Sequence, residues 1–334
     1  MTESLNTPFF KKSSIRWGVI GCGSVTEKKS VPAYQQTEGF EVAMIMCRNA
    51  SRAKDYAERH KVPFWTTDAR AVIENPEIDA VYIATPPDSH KDYALWVAKA
   101  GKPCCIEKPM APNFHNCEEI YKAFLDRELP LFVAYYRRSL PRFLKIKEWL
   151  DTKQIGTVQQ IHWVKTKQPN DLDLSGKYNW RTDASIALGG YFDDLASHGL
   201  DLFTFLLGPI KSANGKASNE GDLYSAYDTI TGSWVHENGV VGKGNWNFLA
   251  QNREDSVEII GTEGRILFSV LDEAPIELIT KSGRQSLEIQ HPVHIQKYHA
   301  ENIKKHFKGE GIHPSIGKSG VHTSWVMDSI LGKL

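Results

Sequence analysis

The sequence predicts an α/β chain of two domains. A doubly wound, mostly parallel sheet is expected over residues 1–140, and an α+β domain with a large, mainly antiparallel sheet over 141–334. Three observations predict it. From Ile15 to about Tyr136 short apolar runs alternate with helix-like stretches, the mark of βαβ units. After Pro141 the pattern changes to β-branched and aromatic segments divided by Gly or Asn turns. At 334 residues, 41% of them hydrophobic, the chain is long enough for two full cores.

In the first domain, strands are expected at 15–20, 41–47, 80–84, 104–107 and 131–135, with helices at 51–60, 68–74, 89–100 and 116–127. Asp88 and Ser89 can cap the start of the third helix, and Gly101 closes it. Residues 1–14 read as a loose N-terminal arm. In the second domain a helix at 143–150 precedes strands at 158–165, 228–236, 239–248, 256–260, 265–270 and 276–280. A helix at 190–207 interrupts them and stops at Gly208-Pro209, and Asn238-Gly239 suits a hairpin turn because it tolerates positive φ. The tail, 296–308 and 318–334, reads as helical.

Lys+Arg and Asp+Glu are 40 each, so no net field draws the chain to nucleic acid or an anionic membrane. Cys22, Cys47, Cys104, Cys105 and Cys117 form no C-x-x-C pair, which points to free thiols in a reducing compartment and no metal. The first 14 residues lack the apolar core of a signal peptide, and no run reaches the ~18 apolar residues of a membrane span. A cytoplasmic protein is expected.

Gly21-Cys22-Gly23-Ser24-Val25-Thr26 follows the first strand and carries the first two glycines of G-x-G-x-x-G. Gly21 allows the tight turn. Gly23 lets backbone N–H groups approach a pyrophosphate at the helix start, with Ser24 and Val25 beside it. Thr26 stands at the third glycine's place and loosens the helix–strand fit. The second strand ends in Met46-Cys47-Arg48-Asn49, with Arg52 close behind. With Cys47 in place of a carboxylate, nothing repels a ribose 2′-phosphate, and Arg48 offers it a bidentate fork. The alternative is a solvated loop arginine. NADP(H) is favoured and NAD(H) possible. In the third loop, Thr85 and Pro86 would wall the cofactor, and His90 is either a cofactor contact or an ordinary first-turn residue.

Glu107-Lys108-Pro109 ends an apolar run at the carboxyl edge of the parallel sheet, where such sheets bind ligands. Glu107 and Lys108 are therefore counted with the cofactor site. Lys108 can also hold positive charge where an alkoxide develops during hydride transfer. A solvated strand-end lysine is the alternative. Asp194 and His198 are four apart, so on a helix they share one face, where a histidine can relay a proton and a carboxylate orient it. A solvated Asp–His pair is again the alternative, with Gly189-Gly190 favouring function. Asp201 is a possible second partner, and Asp193 points away as a structural residue.

At these residues the chain resembles the family named for glucose–fructose oxidoreductase, inositol dehydrogenase and MocA. The likeness rests on Gly21-x-Gly23, on Glu107-Lys108-Pro109, and on Gly189-Gly190 followed by Asp194-x-x-x-His198. Trp180-Arg181, Arg138-x-x-Pro141 and Gly261-Thr262-Glu263-Gly264 extend it from about Ile15 to Leu331. The resemblance implies a Rossmann domain joined to an open-faced sheet domain, with the active site between them and a cis Lys108-Pro109 bond. It implies Lys108, Asp194 and His198 as catalytic residues. His198 would exchange the proton, Lys108 bind the reacting oxygen, and Asp194 contact substrate or orient His198. Tyr135, Tyr136, Lys165, Asn179, Trp180 and Arg181 would line the pocket. Thr26 and Tyr191 depart from the pattern, where Ala or Gly and a third glycine are common, without removing a needed group.

The arginine after the second strand resembles the NADP-using sugar and dihydrodiol dehydrogenases, so the implied substrate is a sugar, polyol or related cyclic diol. The family's NAD-dependent glycosidases and a non-enzymatic nucleotide-binding regulator are the competing classes. A homo-oligomer, most simply a dimer, is expected through the open sheet face, because Trp234, Trp246, Phe248 and Phe268 exceed what the domain's few helices cover. Alternatively these four side chains face those helices.

Overall fold

The computed structural model describes residues 7–334. The chain divides into two units, but not at a single point. Unit 1 takes the residues up to Ala111, His115–Leu140 and Pro292–Val321; unit 2 takes Pro112–Phe114, Pro141–His291 and His322–Leu334. A cut at residue 140 thus separates the two sheets but not the tail.

Unit 1 begins with β1 (Ile15–Ile20), whose glycine turn opens a helix wound widely over Thr26–Ser30 and continuing as α1 (Val31–Gln36). The βα alternation then runs through β2 (Phe40–Met46), α2 (Ala50–Arg59), β3 (Phe64–Thr66), α3 (Ala69–Ile73), β4 (Ala80–Ile83) and α4 (His90–Lys99). It finishes with β5 (Cys104–Ile106), α5 (Phe114–Leu125) and β6 (Leu131–Val133). The strand order is β3-β2-β1-β4-β5-β6, with every pairing parallel. The order reverses at β1, which places a ligand-binding crevice at the carboxyl ends of β1 and β4. β4, β5 and β6 are buried throughout, as a parallel sheet covered on both faces requires.

Unit 2 holds α6 (Pro141–Asp151), β7 (Val158–Thr166), the short α7 (Asp171–Leu174), and a wide helical turn at Phe192–Ala196 that runs into α8 (Ser197–Leu207). Then come β8 (Ile210–Ser218), β9 (Thr229–His236), β10 (Val241–Asn247), β11 (Glu254–Gly261), β12 (Gly264–Phe268), β13 (Ile276–Thr280) and β14 (Gly283–Leu287). The order is β14-β13-β12-β11-β7-β10-β9-β8, antiparallel except for β7 against β10. Trp163 on β7 meets Phe203 of α8 at 5.4 Å and Trp246 of β10 at 5.6 Å, edge to face. Trp234 lies parallel to Phe203 at 6.0 Å, and Phe143 of α6 meets Phe268 at 6.1 Å.

This corrects the basis of the expected dimer. Trp234, Trp246, Phe248 and Phe268 are all buried against the unit's own helices and strands, so they supply no apolar surface to a partner.

The tail forms α9 (Lys297–Phe307) and α10 (Gly317–Ile330). Ala300, Ile303 and Phe307 of α9 join Trp17, Tyr34 and Phe40 in one core of unit 1, Phe307 lying 6.1 Å from Trp17. Of the expected loose arm, residues 1–6 lie outside the described residues, but Phe9 and Phe10 are docked. Both rings pack on Phe307 at 6.0 and 5.0 Å, and the Phe9 N–H donates to the Phe307 carbonyl at 2.8 Å. Phe9 stays partly exposed and Phe10 is half-buried, so the contact offsets the cost of ordering the arm by covering part of two adjacent phenyl rings.

All five cysteines are free thiols. Among the described residues no helix is long and apolar enough to cross a membrane, and no group of three or more His, Cys, Asp or Glu could hold a metal ion.

Candidate active site

The glycine turn of unit 1 is shaped by its neighbours. Gly21 has φ +119°, its N–H donates to the Met46 carbonyl at 2.8 Å, and a Cβ there would fall 2.5 Å from the Ala84 carbonyl oxygen. Only glycine fits. A Cβ at Gly23 would instead point into open space, the approach a pyrophosphate needs above the helix start at Ser24 and Val25. Thr26 is buried and its hydroxyl donates to the Gly23 carbonyl at 2.8 Å. It therefore braces the turn instead of loosening it. These features fit a bound dinucleotide.

At the end of β2, Cys47 is half-buried and donates its N–H to Thr66. Burial first, then the neighbouring Cys47, pushes the Cys22 thiol up to about 12, so it stays protonated. Arg48 and Arg52 are exposed and form no salt bridge among the described residues, while Asn49 between them caps α2. Their guanidinium groups are available to an anion.

Two of the expected cofactor residues act as struts. The ring nitrogens of His90 face the carbonyls of Thr85 at 2.8 Å, Pro109 at 3.1 Å and Met110 at 3.3 Å, so the ring ties the loop after β4 to the loop after β5. Burial lowers its pKa despite those carbonyls. Thr85 and Pro86 are held in the same loop, the Ser89 hydroxyl bonding the Thr85 hydroxyl at 2.7 Å and the Pro86 carbonyl at 2.9 Å. Glu107 turns its carboxylate inward, accepting from the Tyr82 hydroxyl at 2.5 Å and from Gln296 at 2.8 Å. Lys108 stays half-buried at the sheet's carboxyl edge, and its bond to Pro109 is cis. Tyr135 and Tyr136 are buried just beyond β6. Burial alone would raise the Tyr136 phenol, but the positive charges of Arg137, Lys29 and Lys108 lower it.

Unit 2 gathers the second set. Gly190 has φ +61°, and a Cβ there would lie 2.7 Å from the Tyr227 carbonyl oxygen. The chain then enters the wide turn that carries Asp194 and leads to His198, both buried. The Asp194 carboxylate accepts from Arg181 Nε at 2.6 Å, and the guanidinium also stacks on Trp180 at 4.3 Å. Sequence reasoning placed Asp194 and His198 on one face of a regular helix. The widened winding here alters that phase, as such turns do at functional sites, and brings in Arg181 as the carboxylate's partner. Asp193 accepts from the Gly189 N–H at 3.0 Å, and its carboxyl is raised to about 6 by burial. Asp201 accepts from the Thr323 hydroxyl at 3.1 Å.

Lys165 is buried and donates to the Glu254 carbonyl at 3.1 Å; burial lowers its pKa, opposed by Asp255. Asn179 caps the Trp180–Thr182 turn through the Arg181 N–H. Sequence reasoning missed Lys167 and Asp173, which pair at 3.2 Å beneath Tyr191. Their side chains meet only through a loop, so no spacing announced them.

Two family models match the chain. The first, described as an oxidoreductase family with an NAD-binding Rossmann fold, covers residues 15–135, and the GFO/IDH/MocA C-terminal domain covers 143–267. Oxidoreductase P35 of Formosa agariphila is 37% identical over 96% of this chain and 99% of its own length. Levoglucosan dehydrogenase of Pseudarthrobacter phenanthrenivorans is 29% identical over 66% of this chain and 63% of its own. A solved levoglucosan dehydrogenase, in complex with NADH and levoglucosan, superposes with TM-score 0.84 at 23% identity, covering 95% of this chain and 96% of that one.

Proposed function

The chain belongs to the GFO/IDH/MocA family of oxidoreductases with an NAD-binding Rossmann fold, and on that premise we propose that it moves a hydride between a nicotinamide and a secondary alcohol or carbonyl of a sugar, polyol or related cyclic diol. The substrate class rests on the name of the levoglucosan dehydrogenase relative and on the polar side chains gathered in unit 2. The observation that carries the reading is the buried Asp194, paired with the half-buried Arg181 and four residues before the buried His198, since a purely structural helix start would not bury a carboxylate without cause.

The nicotinamide supplies the hydride acceptor or donor. In the oxidative direction the carbinol C–H bond breaks, its electron pair leaving as hydride, while the hydroxyl proton passes to His198. Lys108 bonds the same oxygen and stabilises its growing negative charge. Arg181 fixes the Asp194 carboxylate, which holds substrate or the imidazole. A screen of the purified protein with NADPH, NADP⁺, NADH and NAD⁺ against sugars, ketoses and polyols, read at the nicotinamide absorbance, tests this. No turnover of any class with any of the four nucleotides counts against it.

NADP(H) is the preferred nucleotide, because the exposed Arg48 stands where no carboxylate repels a 2′-phosphate. Losing a charge-assisted contact costs about 1.5–3 kcal/mol, so Arg48→Ala is expected to weaken NADPH binding by roughly 10–100-fold and NADH binding little. Equal NADPH affinity by calorimetry in variant and wild type removes Arg48 from the site. The cysteines, all reduced, accord with a cytoplasmic location.

The dimer remains a proposal on the same open sheet face, carried by other residues. On the outer face of unit 2's sheet, Val164, Ile260, Leu267 and Ile279 stay partly exposed, and Arg265 pairs with Glu258 among them. Light scattering at micromolar concentration should give a multiple of 37.6 kDa, and a plain monomer mass rules the dimer out.

A further inference from the structure

We propose that Tyr191, with Asp173 and Lys167, is a positioning clamp that sets the Arg181–Asp194 pair for catalysis. The inference rests on Asp194 being catalytic. Asp173 is a buried carboxylate with two donors on each oxygen. One oxygen accepts from the Tyr191 hydroxyl at 2.6 Å and from the Asn179 amide at 3.2 Å. The other accepts from Lys167 Nζ at 3.2 Å and from the Asn170 N–H at 3.0 Å. The Tyr191 hydroxyl in turn accepts from Asn170 at 2.9 Å and from Asn179 at 3.2 Å, while the Lys167 ammonium sits 3.7 Å from the Tyr191 ring centroid.

What makes this arrangement more than a satisfied polar core is where its members attach. Asn179 lies two residues before Arg181 and accepts that residue's N–H at 3.2 Å. Tyr191 lies three residues before Asp194, at the mouth of the wide turn. The clamp therefore grips the chain beside each end of one ion pair. A tetradonated carboxylate resists displacement, because any move leaves a buried donor unpaired. Burial alone would raise the Asp173 carboxyl, yet Tyr191, Asn170 and Lys167 hold it below its usual value, so it stays ionised. A glycine at position 191 could supply neither the hydroxyl nor the ring.

Tyr191→Phe keeps the ring over Lys167 and removes only the hydroxyl. It is expected to lower kcat roughly 10-fold, since small misplacements of reacting groups carry costs of that order or more. Nucleotide affinity by calorimetry should not change. The decisive comparison is a double-mutant cycle: in an Arg181→Ala background, Tyr191→Phe should add less than about twofold, because the pair it positions is already gone. A full 10-fold loss in both backgrounds, or kcat within about twofold of wild type in the single variant, overturns the inference. Hydrogen exchange separates this from failure of the site assignment. If Asp194→Asn retains full activity, the catalytic reading fails. Faster exchange of amides 180–182 and 192–194 in Tyr191→Phe still supports the clamp, and unchanged exchange there overturns it.

Discussion

His198→Asn is expected to lower kcat by about 10²–10⁴-fold, the usual contribution of general acid–base catalysis, with nucleotide affinity intact. Asparagine keeps the approximate size and a hydrogen-bonding end but cannot exchange a proton near neutral pH. Because His198 is buried at the start of α8, the substitution tests chemistry with little change in packing volume. Lys108→Ala should cost a similar factor, since it removes the charge offered to a developing alkoxide. If the proposed roles at a single oxygen hold, the two losses combined should fall short of their product. Asp194→Asn should be milder if the carboxylate only orients the imidazole, and severe if it binds substrate. Stopped-flow or steady-state rates on a substrate from the screen decide the matter. Activity within about threefold of wild type in both His198→Asn and Lys108→Ala sinks the assignment.

The second large effect is on stability in mild acid. His299 and His313 are buried in unit 1, their rings edge to face at 4.6 Å, with the Cys105 thiol 3.5 Å from His299 Nε2. Burial lowers His299 from 6.5 to about 3, and burial with the nearby histidines lowers His313 well below its ordinary value. Both are therefore neutral in the folded chain at pH 5–6, while the unfolded chain protonates below 6.5. Folding stability is whole above 6.5 and falls as pH drops, by about 1.4 kcal/mol per pH unit for each such histidine. For His299 the loss continues toward about 3. Asp193, raised to about 6 by burial, acts in the opposite sense over part of this range, since the folded state binds its proton first. Comparing His299→Leu with wild type isolates one site. Between pH 6.5 and 5.5 the drop in unfolding free energy from urea titrations should be smaller in the variant by about 1 kcal/mol, because the unfolded histidine is already half protonated at 6.5. Identical pH dependence in the two proteins would exclude a neutral buried His299.

The strands that carry the βαβ alternation were legible because burial on both faces forces continuous apolar runs, and 276–280 falls on β13 residue for residue. β3, β8 and β14 were not. Phe64–Thr66 is three residues at a sheet edge, and Ile210–Ser218 and Gly283–Leu287 are polar edge strands on which exposure erases alternation. The helix over Thr26–Ser30 and α1 escaped because its Thr, Ser, Val and Pro offer little helical propensity, and the glycine turn rather than the local sequence starts it.

In the site, the need for glycine at 21 was readable from the motif and is met by its positive φ, and Lys108 and His198 lie where the motifs placed them, at the sheet's carboxyl edge and at the start of α8. Arg181 was placed in the pocket, but not as the partner of Asp194 thirteen positions away. His90 and Glu107 carry the chemistry of ligands and yet serve as struts, a difference that only the direction of a side chain reveals. Asp173 belongs to no motif, and only the fold shows four donors converging on it.

α9 has a consequence for how the protein is made. Its phenylalanine and isoleucine complete the core beside Trp17, yet the helix lies about 160 residues beyond β6. On a ribosome adding ~5–20 residues per second, the nascent nucleotide-binding sheet waits roughly 8–30 s for its last layer. During that interval Trp17, Phe40 and Phe132 lack the cover of Phe307 that they have in the finished chain. The first 140 residues contain every strand of that sheet, yet its core is complete only once residues 297–307 have left the ribosome.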